Sequence, residues 1–263
     1  MCVPGCAEAL SRRGFFGAAA VAGLAAATPA HAQRSFTSMI DLTHTFSPEF
    51  PTFFGTPGIA IDQRYTLKKN GANVNWWHVL EHAGTHIDAP LHYSDAGVSV
   101  DGIPAEQLIA SLAMIDIAAK ASANADYALS KQDLAEWEAR HGTLPDGCCV
   151  AMNSGWSRHV PDPAKFAGKD ASGVFHFPGF DPAAAEWLLK ERRVAGIAVD
   201  TLSLDPGNSK DFRTHALWLP AGRWGIENIA NLDNVPAVGA TLVVGAPKVK
   251  DATGGPARIF ALI

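Results

Sequence analysis

The sequence predicts an α/β domain whose core is largely β-sheet. Short apolar runs of strand length outnumber helical segments, and the two kinds occur in mixed order. A regular doubly wound sheet would show strict alternation instead. Pro and Gly are scattered as turn signals rather than gathered in a linker. Apolar residues make up 48% of the 263 positions, enough to bury the core of one domain or at most two, and we expect one.

The strands are predicted from short runs rich in apolar, β-branched and aromatic residues. In chain order they cover Met39 to Leu42, Ala60 to Tyr65, Asn73 to Leu80, Ala113 to Ile117, Cys148 to Met152, Val194 to Val199, Thr241 to Val244 and Arg258 to Ile263. The clearest helix starts at Asp181 as its N-cap, has Pro at its first position, and continues to Arg193. A second helix follows Ser130, which with Asp133 nearly matches a capping box, and continues to about Arg140.

Charge and cysteine content exclude two classes of function. Lys and Arg number 21 against 26 Asp and Glu, a net charge of -5, and no basic stripe is present to neutralise phosphates. Nucleic acid is therefore not an expected partner. The four cysteines form neither a disulfide framework nor a Cys-x-x-Cys metal site. We expect the neighbours Cys148 and Cys149 to be small apolar residues of a buried strand.

The N-terminal residues 1–32 are predicted to be a twin-arginine export signal. Arg12 and Arg13 precede a fourteen-residue apolar run, and Ala30-His31-Ala32 provides a small-x-small cleavage site. The run is shorter than the roughly 20 residues of a membrane-spanning helix, which disfavours an N-terminal anchor. The mature chain, residues 33–263, is thus expected to be a single periplasmic domain that is free of the membrane. Because this route exports folded proteins, it also favours a bound metal or cofactor.

The densest group of chemically capable residues lies in Glu81–Tyr93, which reads E-H-A-G-T-H-I-D-A-P-L-H-Y. In an extended segment, residues two apart share a face. His82, His86, Asp88 and His92 would then all point the same way. Two imidazoles and a carboxylate suit Zn(II), Mn(II) or Fe(II), with positions left for water and substrate. His92, beyond these ligands, would be free to transfer protons.

Two alternatives for this segment are weaker. In zincins, His-x-x-x-His is helical and a Glu follows the first His, but here Ala83 stands at that position while Gly84 and Pro90 oppose a helix. A polar surface loop would not require three His and one Asp in strict register. The spacing leaves open the remaining ligands and the reaction.

The segment H-A-G-T-H-I-D-A-P-L-H resembles the H-x-G-T-H-x-D-x-P-x-H signature of the metal-dependent cyclase-like hydrolases, which include bacterial kynurenine formamidases and isatin hydrolases. Five other segments are similar to that family: D-L-T-H at Asp41–His44, N-S-G-W at Asn153–Trp156, H-F-P-G at His176–Gly179, G-I-A-V-D-T-L-S-L-D-P at Gly196–Pro206, and an H-x(11)-E pair at His215 and Glu227. The resemblance spans residues 39–263.

The resemblance implies a swivelling β/β/α single domain and a divalent metal centre with one or two ions of Zn(II) or Mn(II). It assigns five metal ligands: His82, His86, Asp88, His215 and Glu227. His92 matches the position of the catalytic acid and base, and Glu227 is a second catalytic candidate because it, or Asp88, would orient the attacking water. Glu227 keeps a carboxylate where isatin hydrolases tend to have Gln, which favours room for a second ion.

The implied reaction is hydrolysis of the carbon–nitrogen bond of a small, aromatic amide, cyclic amide or formamide by metal-activated water. A Gly-x-Ser-x-Gly nucleophile elbow is missing from the sequence. Two alternatives remain: a lactone hydrolase or cyclase on the same site, and a periplasmic metal- or ligand-binding protein without turnover. His92 favours catalysis, because binding alone would not require it. Export disfavours a kynurenine formamidase, since tryptophan catabolism is cytoplasmic.

Aromatic residues near the motifs are candidates for stacking on an aromatic small-molecule substrate. The candidate substrate-binding residues are Trp76, Phe53, Trp156 and Trp218, together with His176 for a carbonyl or carboxylate. Trp76 is chosen over Trp77 because strand alternation puts it on the face of His82. The resemblance further implies a homodimer or homotetramer in which neighbours contribute pocket residues.

Overall fold

The structure, a computed structural model, describes residues 36–263, so the predicted signal peptide lies outside the described residues. In this part of the chain there are thirteen strands: β1 (Met39–Asp41), β2 (Ile59–Tyr65), β3 (Val74–Val79), β4 (His86–Asp88), β5 (Ile109–Asp116), β6 (Ala128–Leu129), β7 (Cys149–Asn153), β8 (Gly179–Phe180), β9 (Gly196–Val199), β10 (Trp224–Glu227), β11 (Ala240–Gly245), β12 (Gly254–Pro256) and β13 (Arg258–Leu262). The α-helices of the same region are α1 (Leu67–Asn70), α2 (Ala118–Ala123), α3 (Lys131–His141), α4 (Pro163–Ala167), α5 (Pro182–Glu191) and α6 (Arg213–Trp218). Short 3-10 turns cover Pro90–His92, Val100–Gly102, Ala105–Leu108, Trp156–His159 and Leu232–Asn234.

One mixed sheet of nine strands organises the fold, in the order β1-β13-β11-β5-β7-β9-β10-β4-β12. Its four central strands, β5, β7, β9 and β10, are parallel to one another. The strands on both flanks pair antiparallel. Strands β2 and β3 form a separate antiparallel hairpin, and β6 and β8 a short parallel pair. The prediction of a mixed α/β fold rather than a doubly wound sheet is confirmed.

All eight predicted strands are present, and β4 lies within the segment around the motif that was predicted to be extended. The sequence reasoning missed the other four strands, β6, β8, β10 and β12. Strand β10 has the sequence W-G-I-E, in which Trp and Ile favour a strand but Gly and Glu do not, and β12 has the sequence G-G-P, in which no residue favours one. Both are strands because they pair with β4 on its two sides. Tertiary pairing therefore overrides local preference at the strands that flank the motif.

Both predicted helices are present, with the expected caps. Asp181 caps α5 through a hydrogen bond from the Ala183 amide, and the helix ends at Glu191, two residues before the predicted end. The side chain of Ser130 accepts from the Asp133 amide and Asp133 accepts from the Ser130 amide, which completes the capping box of α3. Each such cap typically contributes about 1 kcal/mol to helix stability.

Both faces of the sheet are covered by apolar layers. Successive side chains of the central strands alternate between the two layers. Leu112 and Cys149 pack in one layer, whereas Ala113 and Val150 pack in the other together with helices α3, α5 and α6. Cys148 and Cys149 are both free and fully buried, as predicted. No helix within residues 36–263 combines the length and apolar character that a membrane crossing needs.

Candidate metal centre

The centre of the site lies on β4, which is inserted between β10 and β12. His86 and Asp88 are two residues apart on this strand and both are buried, so they point to the same side. Across the antiparallel ladder, Glu227 of β10 lies opposite His86. The strand pairing thus brings together a motif residue and a carboxylate that is 141 positions away in the sequence.

His82 reaches the same point by a different route from the one predicted. Residues 82–92 do not form one extended segment: only His86–Asp88 is a strand, and Pro90 begins a 3-10 turn. Gly84 has a positive φ of 68°, a conformation that favours glycine, and it bends the chain so that His82 turns back towards Asp88. The ring nitrogen Nδ1 of His82 lies 2.6 Å from Asp88 Oδ1. The four predicted side chains therefore converge through a turn rather than by strand alternation alone.

His215 completes the cluster from helix α6. Its Nε2 lies 3.1 Å from Glu227 Oε1 and 3.6 Å from Asp88 Oδ2. Its Nδ1 hydrogen-bonds to the fully buried carboxylate of Asp205, at 2.6 Å, and Asp205 also accepts the amides of Thr214 and His215. The same carboxylate thus holds the first turn of α6 and directs the Nε2 of His215 towards the cluster.

The ligand atoms fall into two groups of three that share Asp88. One group is His82, His86 and Asp88, and the other is Asp88, His215 and Glu227; within each, the atoms lie within 4.8 Å of one another. All five residues that the resemblance assigns as ligands are therefore brought together. The arrangement has the composition of one or two sites for a divalent cation.

Charges compensate one another inside the cluster. Burial opposes a charge on His86, but the carboxylates of Asp88 and Glu227 outweigh this and raise its pKa to about 10. Burial likewise opposes ionisation of Asp88, yet the neighbouring imidazoles hold its pKa well below the ordinary value. Despite burial, the hydrogen bond to Asp205 and the nearby carboxylates of Asp88 and Glu227 raise the pKa of His215. Two buried carboxylates are thus kept ionised by positive charge placed between them.

Two buried atoms without hydrogen-bond partners are separate evidence that the cluster suits a divalent cation. Nε2 of His86 and Oδ2 of Asp88 are buried polar atoms without a hydrogen-bond partner within residues 36–263. Nε2 lies 3.3 Å from both Asp88 Oδ1 and Glu227 Oε2, but neither contact has hydrogen-bond geometry. Buried polar atoms without a partner are costly unless they bind something. Imidazole nitrogen and carboxylate oxygen are donors that suit Zn(II) and Mn(II).

His92 stands beside the cluster but belongs to neither group of ligands. It ends the 3-10 turn that Pro90 begins, and its ring stacks on that of His82 with centroids 3.7 Å apart and planes at 21°. Burial is the main reason that its pKa falls to about 4, so the ring is neutral at physiological pH. This is the position, beyond the ligands and next to them, that the sequence predicts for a proton carrier.

A cavity of about 250 Å³ opens onto the cluster. Its walls are formed by Phe53, Phe54, His82, His92, Tyr93, Leu202, Ser203, Phe212, His215 and Glu227. Tyr93 and Phe212 were missed by the sequence reasoning. The position of Tyr93 directly after His92 is a signal that could have predicted its place in the wall. Phe212 reaches the wall through a left-handed backbone conformation, φ 48°, which the sequence does not reveal. Four aromatic rings thus line the cavity, and those of Tyr93 and Phe212 lie beside the ring of His215, with centroids 4.9 and 6.2 Å away.

Of the five predicted substrate-binding residues, Phe53 lines this cavity and the other four lie elsewhere. Trp218 is fully buried in the core, where its Nε1 donates to the Trp224 carbonyl. Trp156 donates to the Phe166 carbonyl. His176 is paired with Asp126, and Trp76 lies on the β2–β3 hairpin with the Arg64 guanidinium 3.9 Å above its ring. Within one chain these four side chains hold the fold or face solvent.

The mixed sheet and the buried histidine–carboxylate centre together define a metal-dependent hydrolase. The chain belongs to the putative cyclase family, whose profile matches residues 40–206.

Known relatives agree with this assignment. The isatin hydrolase of Roseibium aggregatum is 32% identical over 244 residues, which cover 86% of this chain and 91% of that protein. The kynurenine formamidase of Bordetella petrii is 26% identical and the match covers 83% of this chain and 94% of the relative. The solved isatin hydrolase A from Labrenzia aggregata, bound to benzyl benzoate, superposes with a TM-score of 0.80 at 32% identity, over 86% of this chain and 93% of that one. The chain is accordingly a hydrolase of carbon–nitrogen bonds other than peptide bonds.

Proposed function

We propose that the chain opens the ring of a small aromatic cyclic amide of the isatin type. The observation that carries the proposal is the cavity beside the metal cluster: Phe53, Phe54, Tyr93 and Phe212 supply aromatic walls for a flat substrate, and His92 lies next to His82. A volume of about 250 Å³ suits a small bicyclic molecule. The higher identity to an isatin hydrolase than to the formamidases also supports a cyclic amide.

We propose that the five clustered residues hold one or two ions of Zn(II) or Mn(II). The ligands would be His82, His86, Asp88, His215 and Glu227. A divalent ion there would polarise a carbonyl oxygen and make water more acidic. The shared carboxylate of Asp88 supports two ions, because each group of three ligands includes it.

The residues around the centre provide the rest of the chemistry. A carboxylate oxygen of Glu227 or Asp88 orients the attacking water towards the amide carbon. An imidazole nitrogen of His92 takes a proton from that water and gives it to the amide nitrogen as the carbon–nitrogen bond breaks, so the leaving group departs as a neutral amine. The aromatic walls hold the substrate ring and keep bulk water away from the reacting carbon.

The test is an absorbance assay of the purified mature chain on isatin and on N-formylkynurenine. We expect ring opening of isatin that stops when a chelator removes the metal and returns when Mn(II) or Zn(II) is added. Deformylation of N-formylkynurenine without isatin turnover would overturn the choice of a cyclic amide. Turnover of a lactone but of no amide would overturn the proposed bond class.

We further propose that the chain forms a homodimer or homotetramer through the β2–β3 hairpin. This hairpin pairs with no other strand of residues 36–263. Its exposed large apolar side chains are Ile61, Tyr65, Val74, Trp76, Trp77 and Val79. Several of them border a second, mostly apolar cavity of about 630 Å³. Of these, Ile61, Trp77 and Val79 share one face of the hairpin, which borders that cavity. An exposed apolar face of this kind is typical of an interaction site.

Replacing Trp77, which is 69% exposed, with Glu is expected to convert the assembly into monomers without unfolding it. A buried interface does not tolerate an unpaired charge. Light scattering after size-exclusion chromatography gives the mass, and Lys69→Glu on helix α1, between the two hairpin strands, serves as the control. A wild-type chain that is monomeric at micromolar concentration would refute the proposal.

We propose that the twin-arginine signal exports the enzyme to the periplasm. The support is the Arg12-Arg13 pair with its short apolar run. Changing both arginines to Lys keeps the charge and is expected to leave the protein in the cytoplasmic fraction. Unchanged periplasmic recovery of the double variant would show that another route is used.

A further inference from the structure

His82 is held from outside the metal cluster by a residue far away in the sequence. Its Nε2 lies 2.8 Å from the hydroxyl of Thr253, which in turn donates to the carboxylate of Glu81. The amide of Thr253 also donates to Glu81 Oε2, at 3.3 Å, and its carbonyl accepts from the amide of Ala89. Thr253 is thus fixed at three atoms immediately beside the ligand.

The direction of these hydrogen bonds determines which nitrogen of His82 carries hydrogen. A hydroxyl has one proton, and Thr253 gives it to Glu81, whose carboxylate can only accept. Towards His82 the hydroxyl can therefore only accept, so Nε2 must donate. In the neutral imidazole the lone pair is then on Nδ1, which lies 2.6 Å from Asp88 Oδ1. Two acceptor atoms at that distance require a proton or a cation between them.

The other two imidazoles are held the opposite way round. His86 donates from Nδ1 to the Gly84 carbonyl, and His215 donates from Nδ1 to Asp205, so both direct Nε2 to the cluster. His82 alone among these three has its outer hydrogen bond on Nε2. The orientation of each ring thus follows from the partner on its outer side.

Strand β12 is shaped to bring Thr253 to this place. Gly254 pairs with Asp88 across the ladder, and a Cβ atom there would meet the Ile87 carbonyl at 2.3 Å and Cε1 of His82 at 2.8 Å. Any larger residue would push the strand away from the ring. The close approach at Gly254 and the hydroxyl of Thr253 are independent signs that β12 supports His82.

We propose that Thr253 and Glu81 are positioning residues that make His82 bind the cation through Nδ1. Neither residue lines the cavity at the cluster, so they act through His82 and not on the substrate. The inference rests on the proposed function in that it takes the cluster to be a metal centre. It goes beyond that function because it assigns two residues outside the ligand set and the coordinating nitrogen.

The test measures Zn²⁺ affinity of the metal-depleted chain by competition with a chromogenic chelator. Thr253→Val removes the hydroxyl and keeps the shape, and we expect affinity to fall about 10- to 100-fold, the usual effect of losing an outer partner of a metal-bound histidine. Glu81→Gln is expected to weaken binding less, and Thr253→Ser to restore it. Thr43→Val is the matched control, because its hydroxyl bonds the backbone of Ile259 and contacts no ligand.

The nitrogen assignment is read directly from ¹⁵N NMR of histidine-labelled wild-type protein loaded with Zn²⁺. Hydrogen on Nε2 of His82 is the expected result, and hydrogen on Nδ1 would overturn the proposal. Unchanged Zn²⁺ affinity in folded Thr253→Val would overturn it as well. If Thr253→Val does not fold, the proposal is still tested by the Zn²⁺ affinity of Glu81→Gln, a substitution at a half-exposed position, and by the spectrum of the wild-type protein. Both readouts need no substrate, so a failed amide assay would refute the proposed function without affecting this result.

Discussion

Replacing Asp88 with Ala is expected to abolish metal binding and hydrolysis together. Asp88 is fully buried and is the one residue shared by both groups of ligands. Its Oδ1 lies 2.6 Å from Nδ1 of His82 and 3.3 Å from Nε2 of His86, and its Oδ2 faces His215. Without this carboxylate, three imidazoles converge on a space with one negative charge fewer. The affinity for metal should then fall at least about 100-fold, because losing even an outer partner of a ligand typically costs about 10- to 100-fold.

Metal content after dialysis, measured by elemental mass spectrometry beside a thermal melt, tests this expectation. Asp88→Asn keeps the volume of the side chain and should fail in the same way. Asp133→Asn is the matched control: this carboxylate is also buried and caps α3, but it contacts none of the clustered residues. It should lower stability and leave metal content unchanged. Wild-type metal content in Asp88→Ala would contradict the assignment of Asp88 as the shared ligand.

Replacing His92 with Ala is expected to leave the metal in place and to lower kcat about 10²- to 10⁴-fold, the usual contribution of a positioned acid or base. His92 belongs to neither group of ligands, yet it lines the cavity and stacks on His82. Its loss would leave the departing nitrogen without a proton. The measurement is kcat together with metal content on the same sample.

His92→Phe separates proton transfer from packing, because it keeps a stacking ring but cannot carry a proton. It should be as inactive as the Ala variant. His141→Ala, at an exposed histidine that ends helix α3, is the control and should retain full activity. Loss of metal from His92→Ala would make His92 a ligand, and undiminished kcat would assign the proton transfer to another group.

Part of the site follows directly from the sequence. The two-residue spacing of His86 and Asp88 places both on one side of a strand, as the structure shows. The contact between His86 and Glu227 could not follow from spacing, because it depends on the pairing of β4 with β10. Glu227 and His215 were predicted as ligands only from the resemblance to a family, because nothing in their local sequence pattern indicates a metal site.

Aromatic residues were the least predictable part. Trp218 lies three residues after His215 on α6, which suggests proximity to the site, but its ring is fully buried in the core. A large apolar side chain has the same local pattern whether it fills a core or lines a cavity. Phe212 shows the converse, since its place in the cavity wall depends on backbone torsion and long-range packing.

The fold itself was predicted where strands contain runs of apolar residues, as in β5 and β11. It was missed at β12, whose sequence Gly-Gly-Pro opposes a strand. At position 254 a Cβ atom would meet both the Ile87 carbonyl of the neighbouring strand and the ring of His82. The departure from strand composition therefore marks a place where sheet pairing and the site together require glycine.

The central claim is that the five clustered residues form a centre for a divalent metal. Elemental mass spectrometry of the mature chain, purified without chelator, tests it most directly. We expect one or two equivalents of Zn or Mn per chain, bound tightly enough to survive dialysis. A folded chain that retains no divalent metal after loading with either ion would show that the cluster is not a metal centre.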